Sequence, residues 1–102
     1  MAYATTNPFT GETIKTFPDA TDAEVQGAIT DAYDVFKEWR HASFADRAKV
    51  MSAAASILRR DIDKYSKLLT LEMGKLFTEA KLETELSAEI FEYYAKNAER
   101  LL

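Results

Sequence analysis

Residues 19–102 contain no proline; the two prolines are Pro8 and Pro18. Proline is the strongest helix breaker, because it lacks an N–H and clashes with the preceding turn. A proline-free stretch of this length predicts a mostly helical body behind a short non-helical lead. The 102 residues suffice for one small domain with a single core.

The lead reads as a β-hairpin. Tyr3-Ala4-Thr5-Thr6 is β-prone and Thr13-Ile14-Lys15-Thr16-Phe17 alternates. Between them, Asn7-Pro8-Phe9-Thr10-Gly11-Glu12 is dense in turn chemistry: Pro8 presets φ and Gly11 supplies a positive φ. Two strands alone are marginal in water, so the hairpin is expected to rest on another element.

Thr21-Asp22-Ala23-Glu24 is a capping box and opens the first helix. Val25, Ile29, Ala32, Phe36 and Trp39 then form one apolar stripe at three- and four-residue steps. Ser43 caps a second start. The stripe Phe44, Ala48, Met51, Ala55, Leu58 runs on into Ile62, Tyr65 and Leu69, and Asp61 and Asp63 suit a restart. Residues 44–73 are therefore read as two helices with a break near Arg59 to Asp61. Ala53, Ala54 and Ala55 would let another helix approach closely. Gly74 is the expected C-cap. The run from Phe77 to Leu102 reads as one long helix with two apolar lines. One holds Ala80, Ser87, Phe91, Tyr94 and Ala98; the other holds Leu82, Leu86, Ile90 and Tyr93. Together they are wider than a surface helix needs, which predicts a helix sandwiched between two neighbours. No Gly, Asn or Pro closes this helix, so the chain is expected to be the front piece of a larger protein.

The net charge is −4, which disfavours nucleic-acid binding through phosphate neutralisation. The charge is banded. Residues 39–67 carry seven Lys or Arg against three acids, whereas residues 68–102 carry four against seven. Such banding suits acidic and basic helices packed side by side, or simply a solvated surface. No run approaches the roughly 18 apolar residues of a membrane span. There is no cysteine, hence no thiol nucleophile or Cys-based zinc site within the chain. No signal peptide is visible, and a cytoplasmic setting is the expectation.

Catalytic chemistry is sparse. His41, the lone histidine, lies between two helices without a second ligand, and reads as a surface loop residue. Glu79, Glu83, Glu85, Glu89 and Glu92 lack the following His of di-metal bundles, and read as a solvated face. Asp61-Ile62-Asp63 lacks the Gly and Glu of a calcium loop. Gly74-Lys75 lacks the upstream Gly of a phosphate loop and is followed by Leu76. From these residues alone no catalytic site emerges.

Six short motifs in register carry a resemblance. Asn7-Pro8-Phe9-Thr10-Gly11-Glu12, Pro18-Asp19-Ala20-Thr21, Phe36-Lys37-Glu38-Trp39, Arg47-Ala48, Leu71-Glu72-Met73-Gly74-Lys75 and Glu92-Tyr93-Tyr94-Ala95 together resemble the N-terminus of aldehyde dehydrogenases, along essentially the whole chain. The short start is most similar to that of bacterial succinate-semialdehyde dehydrogenases. The resemblance implies a parent enzyme of several hundred residues, dimeric or tetrameric, with a Rossmann-like cofactor domain. Such an enzyme oxidises an aldehyde to an acid with NAD or NADP, through a cysteine thiolate, hydride transfer and a glutamate-activated water. The cysteine, cofactor loop and glutamate would all lie downstream of Leu102. The resemblance also implies a monovalent cation near the Asn-Pro turn, with Thr6 and Glu83 in ligand positions.

The expected fold is a mainly α fragment of an α/β enzyme: an N-terminal β-hairpin segment over residues 1–20, then three or four helices over residues 21–102 that pack on the cofactor domain. Its expected role is structural, with no catalytic or cofactor-binding residue of its own. Its expected partners are the remainder of the parent polypeptide and, in isolation, a second copy through residues 76–102, where Leu86, Ile90, Phe91 and Tyr94 would each contribute roughly 1.5–3 kcal/mol if fully buried. The rival reading is a self-standing helical module that binds a partner helix.

Overall fold

The computed structural model describes residues 3–102, so the first two residues of the expected 1–20 segment lie outside it. Two strands precede four helices: β1 (Tyr3–Thr6), β2 (Thr13–Phe17), α1 (Asp22–Trp39), α2 (Phe44–Arg60), α3 (Ile62–Met73) and α4 (Phe77–Leu101). The strands pair antiparallel, with Tyr3 opposite Phe17 and Thr5 opposite Lys15; the register then shifts so that Thr6 meets Thr13. Ile14 is the extra residue of this bulge. Asn7 organises the turn between the strands. Its Oδ1 accepts from the Phe9 amide at 2.9 Å, its carbonyl accepts from the Gly11 amide at 2.8 Å, and Gly11 has φ +74°.

Local chemistry sets the helix boundaries. At α1 the Thr21 hydroxyl accepts from the Glu24 amide at 3.3 Å, and the Thr21 amide donates to the Glu24 carboxylate at 2.8 Å. Ser43 caps α2 by accepting from the Asp46 amide at 3.1 Å. Asp61, at φ −108° and ψ 28°, breaks the path between α2 and α3. Gly74 closes α3 in the left-handed conformation at φ +73°. The turn of the hairpin touches this cap, since a methyl group on Gly74 would meet the Pro8 ring Cγ at 3.0 Å, while β2 stays exposed along its length.

The core is a three-helix arrangement in which α4 lies against both α2 and α3. Its buried residues are small: Ala55 from α2, Ser66 from α3, and Ala80, Thr84 and Ala88 from α4. Small side chains let the helix axes approach closely, and Ser66 Oγ and Thr84 Oγ1 lie 3.3 Å apart in the seam. Each hydroxyl also donates to the carbonyl four residues back, Ser66 to Ile62 at 2.6 Å and Thr84 to Ala80 at 2.9 Å. These two seam hydroxyls therefore stay satisfied.

α1 behaves differently, for none of its residues is buried. Val25, Ile29, Phe36 and Trp39, its expected stripe, are all largely exposed. The described residues span 46 × 40 × 20 Å with a radius of gyration of 17.7 Å. A compact chain of about 100 residues would have a radius near 13 Å. This is a flat, open assembly whose apolar stripes exceed what its own helices cover.

Candidate functional site

Ion pairs tie the core helices together across their polar edges. The Arg59 guanidinium of α2 donates twice to Glu92 of α4, through Nε and Nη2 at 3.0 Å each, and once to Glu85 at 3.3 Å. Lys81 of α4 reaches Asp63 of α3 at 2.8 Å. Lys75 pairs with Glu83 across the start of α4. The acids of α4 are thus not simply a solvated face: three of the five have cationic partners. The side-by-side reading of the charge bands accounts for Arg59.

The titrating groups that depart from ordinary values do so for structural reasons. Hydrogen bonding to Arg59 holds the Glu92 carboxyl below the usual range. Lys81 does the same for Asp63, and Arg60 for Asp61. The Thr21 backbone and side chain lower Glu24, and Ser43 with Lys49 lowers Asp46. Each displacement belongs to a cap, a cross-helix pair or, for Asp61, the adjacent Arg60. Among the described residues, no three His, Asp or Glu side chains gather as a metal-holding group. His41 sits exposed in the α1–α2 connector, as expected.

The two candidate cation ligands lie on different elements. Thr6 ends β1 opposite Thr13 and is exposed. Glu83 lies on the second turn of α4 and is engaged by Lys75. The Pro8–Gly74 contact brings the turn that follows Thr6 to the α3–α4 junction, next to Lys75. Among the hydrogen bonds and ion pairs of the described residues, none joins Thr6 to Glu83.

Clefts open between elements of the described residues. One, of about 320 Å³, lies where α1 and α2 meet the end of α4, lined by Trp39, Phe44, Met51, Tyr94 and Ala98. At its edge Arg47 donates to the Arg40 carbonyl at 3.1 Å, while its buried Nε has no partner. A second, of about 260 Å³, lies between Leu58, Tyr65, Leu69 and Thr84. A third runs from Asn7 and Phe9 to Thr70, Leu71 and Phe77. All are open and largely apolar, suited to receiving apolar surface rather than to acid–base chemistry.

A second exposed apolar feature, besides the stripe of α1, is a face of α4. Leu82, Leu86, Ile90 and Tyr93 remain 68%, 53%, 49% and 50% exposed. α4 does pack on two neighbours, but both lie on its other side. Phe91 faces inward and is only part-exposed, so it joins the bundle and not this outer line.

Comparison with known proteins agrees with the sequence motifs. The aldehyde dehydrogenase family model matches residues 1–102. A succinate-semialdehyde dehydrogenase [NADP(+)] of Mycobacterium avium is 50% identical over the whole chain, which spans 22% of that relative. Succinic semialdehyde dehydrogenase from Streptococcus pyogenes, solved in complex with NADP+, superimposes with a TM-score of 0.92 at 41% identity, over 99% of this chain and 22% of its own. The solved protein Gox0499 superimposes with a TM-score of 0.95 at 35% identity, over 100% of this chain and 23% of its own.

Proposed function

This chain belongs to the aldehyde dehydrogenase family, and we propose that it is the N-terminal scaffold of an NADP-dependent enzyme that oxidises succinic semialdehyde to the acid. The single observation that carries this reading is the mismatch between coverage and closure. The chain spans 22% of the length of the curated relatives it matches, and its apolar stripes on α1 and α4 are uncovered. In this reading residues 1–20 form a hairpin arm, and residues 21–102 present those stripes to a Rossmann-like cofactor domain. The substrate and cofactor come from the names of the relatives.

The chemistry then belongs to residues outside 1–102. A thiolate must come from elsewhere, since this chain has no cysteine. Gly74, the glycine beside a lysine, has the space that a phosphate would need filled by the Pro8 ring. The role of this segment is packing, and the uncovered faces would drive self-association of residues 1–102 in isolation. The cation assignment to Thr6 and Glu83 belongs to the same proposal. Glu83 would have to release Lys75 first, so Lys75→Met should tighten sodium binding by the whole enzyme, read by calorimetry.

The test is a graft. Residues 1–102 replace the equivalent segment of the M. avium relative, which is half identical to it. The graft is expected to oxidise succinic semialdehyde with NADP, and residues 1–102 alone to leave NADP unreduced. Reduction by the isolated chain, or a graft that fails to fold, would overturn the reading.

A further inference from the structure

Arg47 is a part-buried cation that this chain leaves poorly compensated. It stands near the start of α2, the positive end of the helix dipole, where a cation is disfavoured. Its guanidinium lies 5.7 Å from the Phe44 ring centroid and gives one hydrogen bond, from Nη2 to the Arg40 carbonyl at the end of α1. Nε is closed to water and unpaired, and Nη1 makes no hydrogen bond among the described residues. No ion pair of the described residues includes Arg47. The adjacent Asp46 is committed to Ser43 and Lys49. Arg47 borders the cleft of about 320 Å³ whose walls include Trp39, Phe44 and Tyr94, and the other charges on that cleft are Lys96 and Glu99 of α4. Those two are exposed, so water solvates each of them. With Arg47 and Lys96 set against Glu99, the cleft keeps one net positive charge.

We propose that a segment of the remainder of the enzyme closes this cleft, setting an apolar side chain against the Trp39 and Tyr94 walls and a carboxylate against Arg47. The proposal rests on the reading that residues 1–102 are the N-terminal scaffold of an aldehyde dehydrogenase, and it names the chemistry of the surface they meet at this point. A guanidinium stays ionised, so Arg47 cannot shed its charge when it is covered. A purely apolar cover would strand that charge away from water, and an unpaired buried charge is strongly destabilising. A carbonyl or hydroxyl would occupy a free N–H and leave the charge unmatched. A carboxylate supplies both the acceptor and the opposite charge, and its two oxygens fit the planar fork. Near the start of α2 it also meets the favourable end of the helix dipole. The Arg40 carbonyl already supplies the partial negative charge of the α1 terminus, about half a unit, which does not balance a whole cation. Glu99 borders the same cleft without pairing with Arg47, and Lys96 beside it offsets its charge. The acid therefore has to come from outside residues 1–102.

The experiment is a crystal structure of the whole graft, residues 1–102 joined to the remainder of the M. avium relative. A carboxylate oxygen from the relative's part should lie about 3 Å from the Arg47 guanidinium. Urea unfolding of the same graft gives a second reading. Arg47→Met should lower the midpoint. Arg47→Glu, which sets two acids together, should lower it further. Arg47→Lys keeps the charge without the fork and should fall between wild type and Arg47→Met. Replacing the facing acid by lysine in the Arg47→Glu graft should recover most of the loss. Arg47 left open to water in the graft, Arg47 bonded only to carbonyl oxygens or to Glu99, or a midpoint indifferent to Arg47→Met would each overturn the proposal. An active wild-type graft with any of those results removes the clamp and leaves the enzyme assignment standing. A graft that does not fold overturns both.

Discussion

The two faces of α4 are built from opposite materials. Toward α2 and α3 it presents Ala80, Thr84 and Ala88, which are at most 4% exposed. Away from them it presents Leu82, Leu86, Ile90 and Tyr93, which are at least 49% exposed. In a self-contained domain the larger apolar side chains would fill the interior. Here the interior is a close seam of small residues, and the large ones face outward. The inner face is finished by this chain; the outer face is left uncovered by it.

If this contrast holds, a substitution has different consequences according to the face it strikes. Ala88→Leu inserts bulk into the seam, where no atom can yield cheaply, and should cost about 3 kcal/mol in urea unfolding. Gly74→Ala combines a left-handed backbone at φ +73° with contact against Pro8, and should cost about 1–2 kcal/mol. Thr21→Ala removes the α1 cap, worth about 1 kcal/mol. Because α1 buries nothing, that loss should appear as local amide exchange in residues 22–25, with the α2–α4 bundle unchanged. Leu86→Ser, by contrast, should shift the unfolding midpoint of the diluted monomer by no more than about 0.5 kcal/mol, while reducing hydrophobic-dye binding.

The smallest effect concerns pH. Arg59 lowers the Glu92 carboxyl, so the folded form binds that proton less readily than the unfolded chain. The contribution is complete above the ordinary glutamate value of about 4.3 and is lost as pH falls through the lowered value. Arg59→Met should flatten this part of the acid-unfolding curve, by lowering stability slightly at neutral pH and leaving it unchanged at low pH. The pair is exposed, and solvent screens it.

The sequence announces the element boundaries because each depends on neighbours a few residues away. Thr21 with Glu24, Ser43 with Asp46, Asp61 between two helices and Gly74 as a left-handed cap are all local devices, and the structure contains every one. Periodicity also identifies both apolar lines of α4. It does not say which is covered, since a repeat of three or four residues fixes a face but not its neighbour. Phe91, expected among the residues that a second copy covers, lies on the part-covered line for that reason. Thr84 and Ser66 escape notice because a buried hydroxyl leaves no hydrophobic signal. The Arg59 clamp joins residues 26 and 33 positions apart, beyond any local pattern. Thr6 and Glu83 are candidates through family resemblance alone; no spacing in the sequence points to them.

The outer face can be interrogated with one substitution in two settings. Leu86→Asp is placed in residues 1–102, diluted to monomer, and in the graft with the M. avium relative. The isolated chain should keep its unfolding midpoint, and the graft should lose about 2 kcal/mol or more together with its aldehyde oxidation. A graft as tolerant of Leu86→Asp as the isolated chain would contradict the claim that this face is made to be covered.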